Sequence, residues 1–188
     1  SITSDSTGIY LAGFTYGGLN GTPGLGAADA FLAKYDTSGA VLWARVIGGN
    51  GDNANGGINQ VSANGSFVAV AGYSNQSIDG QPVNSGTFVS YFTADGTKLW
   101  TRMRADGIGP ILVAPDGSVY IAGGKLGTTD VFVSKLDGKG QEIWSKTFGT
   151  DGAETANQLA INADGELVLL GSTSGTFPGQ TNSGGADH

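Results

Sequence analysis

The sequence predicts an all-β fold made of repeated four-stranded units, and three observations carry that expectation. The first is a segment that occurs three times in one register: Asp29 to Trp43, Gly86 to Trp100 and Asp130 to Trp144. Counted back from each tryptophan, the same chemistry returns. An aromatic stands at Phe31, Phe88 and Phe132. A polar turn residue stands at Asp36, Thr93 and Asp137, and a glycine at Gly39, Gly96 and Gly140. A base follows two residues after the tryptophan, at Arg45, Arg102 and Lys146. The second observation is a small-Gly pair preceded by an apolar run: Ala12-Gly13, Ala71-Gly72, Ala122-Gly123 and the variant Leu170-Gly171. The third is composition: 34 glycines, 13% charged residues and no cysteine, with no amphipathic helical stretch of useful length. Short apolar strands between glycine-rich turns read as all-β.

Each unit resolves into strands a to d. Strand a leads into a turn at Thr7-Gly8, Asn64-Gly65, Asp116-Gly117 or Asp164-Gly165. Asn-Gly and Asp-Gly are strong hairpin signals, because both residues tolerate positive φ. Strand b is the apolar run ending at the glycine, as in Val68-Ala69-Val70 or Val119-Tyr120-Ile121. It is apolar on both faces, as expected of a sheet with another stacked on either side. Strand c starts at the phenylalanine, and strand d carries the tryptophan. A tryptophan recurring at one place reads as a packing post between neighbouring units, worth roughly 1.5–3 kcal/mol or somewhat more when buried. A row of exposed rings stacking on a sugar is the alternative reading.

Gly13, Gly72, Gly123 and Gly171 fall at intervals of 59, 51 and 48 residues. Four-stranded units of about 40–50 residues are the signature of β-propeller blades. The blades are expected at about 1–48, 58–104, 110–149 and 156–188, within one segment spanning the chain. The fourth has strands a and b but lacks c and d, so three full blades and half of a fourth make a partial or open propeller. An open stack leaves sheet faces and edges uncovered. The chain is therefore expected to be part of a longer polypeptide, or to be completed by another subunit through strand addition.

The residues also narrow function. A net charge of −7 and a pI near 4.4 disfavour nucleic acid as a partner. No apolar run approaches the ~20 residues that span a membrane. The one histidine is His188, so a Ser-His-Asp set would depend on the last residue. Most carboxylates sit in hairpin turns: Asp36, Asp95, Asp116, Asp137 and Asp164. Asp29, Asp130 and Asp187 recur just before strand c and read as acceptors for backbone N–H groups. Lys34 and Lys135 recur in mid-strand, where a solvated face or a carboxylate partner is expected.

Binding is expected on the loops that join d to a and b to c, which emerge on one face of a propeller. The candidates are Tyr16, Tyr73 and Asn75 for sugar stacking and hydrogen bonding, with Asp79, Asp52 and Asn55 on the same face. Leu19, Ile78 and Phe177, each two residues before a glycine, read as anchors that pin the b–c loop. Asp52, Asn53, Asn55, Asp151 and Glu154 form oxygen-rich loops of the sort that hold calcium, although no EF-hand spacing is present. No cofactor other than calcium is suggested.

The pattern G-x-[IV]-Y-[LI]-A-G, at Gly8–Gly13 and Ser118–Gly123, joined to the tryptophan segments, resembles the bacterial β-propeller repeat family of SBBP type. Residues 177–187 resemble that family's b–c connection. The resemblance implies a secreted or surface-exposed bacterial protein. The expected role is a non-enzymatic scaffold for structural, adhesive, protein-binding or glycan-binding purposes. The D-x-x-G-x-x-x-W portion also resembles blades of pyrroloquinoline-quinone enzymes. The alternative is therefore part of a quinoprotein-like or glycan-acting enzyme.

Overall fold

The computed structural model describes residues 1–25, 28–48, 56–75, 77–81 and 86–181. Among them are fourteen β-strands and no helix. The first sheet holds β1 (Ile2–Asp5), β2 (Gly8–Thr15), β3 (Asp29–Tyr35) and β4 (Val41–Ile47). The second holds β5 (Gly56–Ala63), β6 (Phe67–Ser74), β7 (Gly86–Thr93) and β8 (Lys98–Arg104). The third holds β9 (Ile111–Val113), β10 (Val119–Gly124), β11 (Val131–Leu136) and β12 (Glu142–Phe148). A two-stranded sheet of β13 (Glu154–Ile161) and β14 (Leu167–Thr173) follows. Each sheet is an antiparallel meander in chain order.

The strands differ from the expected limits at their ends. β5 and β13 begin two residues before 58 and 156, because a bulge at Ile58/Gln60 and at Ala156/Gln158 carries strand a further along its partner. Close approach of the neighbouring backbone explains the glycine of three small-Gly pairs, whereas at Gly13 an added Cβ would meet the Phe31 ring at 3.1 Å. A Cβ at Gly72 would lie 2.0 Å from the Gly57 carbonyl oxygen, at Gly123 1.8 Å from that of Gly107, and at Gly171 2.1 Å from that of Thr155. The glycine is kept for close approach of two backbones. Strand b also runs past it, to Thr15, Ser74, Gly124 and Thr173.

The sheets stack face to face, and side-chain alternation gives each inner sheet two cores. On β6, Val68 and Val70 join Tyr10, Leu32 and Phe88 against the first sheet. Ala69 and Ala71 face the other way, beside Val119, Ile121 and Phe132 of the third. On β10, Ala122 and Tyr120 in turn meet Leu159, Leu167 and Leu169.

The tryptophans pin one sheet to the next. Trp43 Nε1 donates to Ala94 O at 3.1 Å, and Arg45 Nε donates to Gly96 O at 2.8 Å. Trp100 Nε1 donates to Gly138 O at 3.0 Å, and an Arg102 guanidinium nitrogen to Lys139 O at 3.1 Å. In both cases the indole lies across the c–d turn of the next sheet. A Cβ on Gly96 or Gly140 would come within 2.8 Å of the ring. Both glycines also have positive φ, at 84° and 74°.

The turns use their carboxylates as expected at Asp36, Asp95, Asp116 and Asp137, and Asp164 is the exception. Asp36 Oδ1 accepts from the Ser38 and Ala40 N–H groups at 2.8 and 2.9 Å, and Asp137 Oδ1 from Lys139 and Gln141 at 2.9 and 2.8 Å. Where Thr93 replaces the aspartate, Asp95 takes over and accepts from Thr93 Oγ1 and the Thr97 N–H. The Ser38 and Thr93 hydroxyls first, and then the turn N–H groups, hold Asp36 and Asp95 below the usual aspartate range. In the last turn Asn162 accepts the bonds, while Asp164 itself donates its N–H to Asn162 Oδ1 at 3.1 Å.

Lys34 corrects the expectation of a solvated face. It is buried, lies over the Tyr10 ring and donates to Thr7 Oγ1 at 2.8 Å and Ala94 O at 3.0 Å. Lys135 finds its carboxylate, Asp116, at 3.3 Å.

Candidate functional site

The candidate binding residues lie where strand b leaves its sheet. On β2, Phe14 and the following Tyr16 make an edge-to-face pair with ring centroids 5.6 Å apart. Tyr16 is 79% exposed and Phe14 57%. Tyr73, at the same end of β6, is 46% exposed. Tyr73 is paired in register with Gly57, and a Cβ on Gly57 would lie 3.6 Å from Phe14 Cβ. Phe14 and Tyr16 thus lie at one end of the junction between the first and second sheets, whereas Tyr73 shares the face of β6 that carries Ala69 and Ala71, toward the third sheet. Phe14 is absent from the sequence-derived candidates. It follows Gly13 as Tyr73 follows Gly72, so the repeat alignment contains the signal. Asn75, two residues beyond Tyr73, is half-buried.

Asp79 has a structural task. In the loop Ile78–Gln81, Gln81 N donates to Ile78 O at 2.9 Å, with Asp79 at φ 54° and Gly80 at φ 70°. Leu19–Thr22 repeats the turn, with Asn20 at φ 48° and Gly21 at φ 78°. Two successive positive φ values define a type I′ turn, which Asn-Gly and Asp-Gly suit. Ile78 is buried in the first core, so it pins the loop as expected. The Asp79 carboxylate is tied to β8. It pairs with the Lys98 ammonium and accepts from Thr101 Oγ1 at 2.6 Å. Ser90 Oγ in turn lies 2.9 Å from Thr101 Oγ1.

Of the oxygen-rich loops, Asp52, Asn53 and Asn55 lie outside the described residues, as do Asp187 and His188. Asp151 is exposed. Glu154 is buried at the start of β13, 8% exposed. Its Oε1 accepts from Thr150 Oγ1 at 2.5 Å and Thr173 Oγ1 at 2.7 Å, while Oε2 has no hydrogen-bond partner among the described residues. Burial pushes this carboxyl up, but the two hydroxyl donors outweigh it and hold the group below the usual glutamate range. Among the described residues no group of three or more His, Cys, Asp or Glu side chains could hold a metal ion. Asp29 behaves as a loop-end acceptor: it is fully buried and its Oδ2 accepts from the Leu25 N–H at 2.7 Å.

Beside Glu154 opens a cleft of about 840 Å³ between the third sheet and β14. Val131, Val133, Trp144, Phe148, Leu169 and Phe177 supply its apolar walls. Sequence patterns do not point to it, because it arises from how two sheets stand beside each other.

No protein-family model matches the chain. The chain is 31% identical over 184 residues to the regulatory protein FlaEY of Caulobacter vibrioides, an alignment covering 82% of this chain. The chain spans 19% of that relative's length. Among solved structures, it is similar to a protein of unknown function from Bacteroides caccae, with a TM-score of 0.49 and 14% identity over 85% of this chain and 49% of that one. It is also similar to BamB from Moraxella catarrhalis, with a TM-score of 0.35 and 14% identity over 89% of this chain and 56% of that one. Among the described residues no helix is long and apolar enough to cross a membrane.

Proposed function

We propose that this chain is a run of β-propeller blades of SBBP type, acting as a non-enzymatic binding scaffold in an extracellular or surface-exposed bacterial protein. The carrying observation is the division of labour within the repeat. Most of the residues that recur are committed to the scaffold: Trp43 and Trp100, with Arg45 and Arg102, clamp the next turn, and Asp36 and Asp137 close their own. The residues that vary, Phe14 and Tyr16, present aromatic surface at one end of the first junction, and Tyr73 is exposed at the same end of the second sheet. Exposed rings beside polar loops suit a glycan or a protein surface. The reading requires no cofactor.

The test is binding of the 188-residue chain to glycan and bacterial-surface protein arrays, with Tyr16→Ala as comparison. The expected result is a ligand whose affinity falls about tenfold in the variant, equivalent to about 1.4 kcal/mol, with the unfolding midpoint unchanged. Turnover of an aldose or glycan substrate that survives Tyr16→Ala would move the chain to the enzyme class. A second reading has its own support. The FlaEY relative is named a regulatory protein, which favours a protein partner over a glycan, and the two arrays separate these.

A further inference from the structure

Each strand d carries a bulge at the residue before its tryptophan. Lys34 pairs with Trp43 and Tyr35 with Val41, so Leu42 has no partner in register. Leu99 stands out in the same way between Lys98 and Trp100, and Ile143 between Glu142 and Trp144. A bulge re-aims the side chain it frees. All three residues are aliphatic and exposed, Leu42 by 51%, Leu99 by 46% and Ile143 by 57%. Each four-stranded sheet among the described residues therefore shows water an apolar side chain at the same place.

At the second sheet that side chain borders a groove. The groove has a volume of about 600 Å³ and runs between β8 and the c–d turn of the third sheet. Lys98, Arg102 and Lys139 line it beside Leu99, and Asp79 is its one carboxylate. Three cations against one carboxylate make it basic, in a chain whose net charge is −7. Lys98 pairs with Asp79 and keeps further N–H donors. Arg102 donates to Thr101 O and to Lys139 O, each at 3.1 Å, which leaves three of its five N–H groups. Lys139 is exposed, and among the described residues it forms no ion pair.

The fold does not require this charge. The first sheet builds the same tryptophan and arginine clamp with Val41 in the place of Lys98 and Asp95 in the place of Lys139. The two lysines are thus surplus to the scaffold, and they flank an apolar side chain that the scaffold leaves in water.

We propose that this groove docks an acidic segment of a partner protein, a short run of glutamate or aspartate around one aliphatic residue. Leu99 takes the aliphatic side chain, and Lys98, Arg102 and Lys139 take the carboxylates. The net charge opposes a polyanion such as nucleic acid at long range, whereas a short segment meets the local cations. A sugar would want an open ring face, and Trp100 is only 8% exposed. The inference goes beyond the binding surface at Phe14 and Tyr16 and stands on different residues.

The probe is the peptide acetyl-Glu-Glu-Leu-Asp-Glu-amide, titrated into the isotope-labelled 188-residue chain and followed by amide NMR. The expected result is a set of shifts over residues 98–102 and at Lys139, with the corresponding residues 41–45 unmoved. Affinity should fall about tenfold between about 20 mM and about 300 mM salt. Lys139→Glu should weaken binding about tenfold and Leu99→Ser about fivefold. An absence of shifts at about millimolar peptide overturns the proposal. Undiminished binding by Lys139→Glu, or equal binding of a peptide with lysine for each acid, also overturns it. Shifts confined to Phe14–Tyr16 assign the peptide to the other surface, and tighter binding of a heparin disaccharide assigns the groove to anionic glycans. Shifts at the same residues on concentrating the chain alone assign the groove to a second copy. Each of these three results overturns the proposal as well, and none of them bears on the reading of Phe14 and Tyr16 except the first, which supports it.

Discussion

Trp100 and Trp144 occupy the same place in successive repeats and live in different surroundings. Trp100 is 8% exposed, stacks on Tyr91 at 5.2 Å and donates to a carbonyl of the next sheet. Trp144 is half-buried, touches Tyr120 and faces the cleft. The motif is local, but its stabilising effect is not, because most of a tryptophan's burial comes from whatever lies across its face. A residue that repeats in sequence therefore need not repeat in energy.

The sharpest way to test that difference is truncation. Trp100→Ala should cost about 3–5 kcal/mol, through the cavity and the lost stacking. Trp144→Ala should cost about 1 kcal/mol, since much of its surface is already wet. Urea denaturation of both variants checks this, and equal losses would erase the distinction between the two sites.

A smaller effect separates the turns. Gly140→Ala meets both a positive φ and the Trp100 ring, so about 2–3 kcal/mol is expected. Gly39 has φ 86° but no atom within 4 Å of an added Cβ, so Gly39→Ala should cost only about 1 kcal/mol. The gap between their denaturation midpoints measures the contact apart from the backbone strain.

The smallest effect concerns the residue that replaces lysine in the second sheet. Tyr91 stacks between Phe67 and Trp100 and donates to Gly117 O at 2.7 Å. Burial, with help from the Asp116 charge, pushes its hydroxyl from 10.0 up to about 12. A raised folded value means the neutral phenol favours the fold. That contribution is complete below pH 10 and is lost as pH rises through about 12. Tyr91→Phe should cost about 1 kcal/mol at pH 7 and should flatten the alkaline decline in stability. An unchanged slope in this variant would assign the decline to other groups.

The four-strand order, the turn glycines and the aspartate acceptors were all legible in the sequence, because each is a local requirement. A tight turn needs positive φ at a fixed position, and a strand buried on two faces needs apolar residues at every position. The apolar anchor of the b–c loop was legible for the same reason, as Ile78-Asp79-Gly80 specifies its own turn. Asp79 as a ligand group was less so. Whether a carboxylate faces solvent or Lys98 depends on a strand nineteen residues away. Phe14 was hidden only by its ordinary apolar character.

The sequence by itself determined the repeat, the strand order within each sheet and the chemistry of most described turns, since these depend on neighbours within a few residues. Only the tertiary structure decided which polar groups are used up between sheets. It buried Lys34 against a carbonyl sixty residues away, and it left Glu154 and Trp144 at the edge of a cleft. The physical reason is that stacking joins faces remote in sequence, so identical side chains become buried or exposed according to what the next sheet places over them.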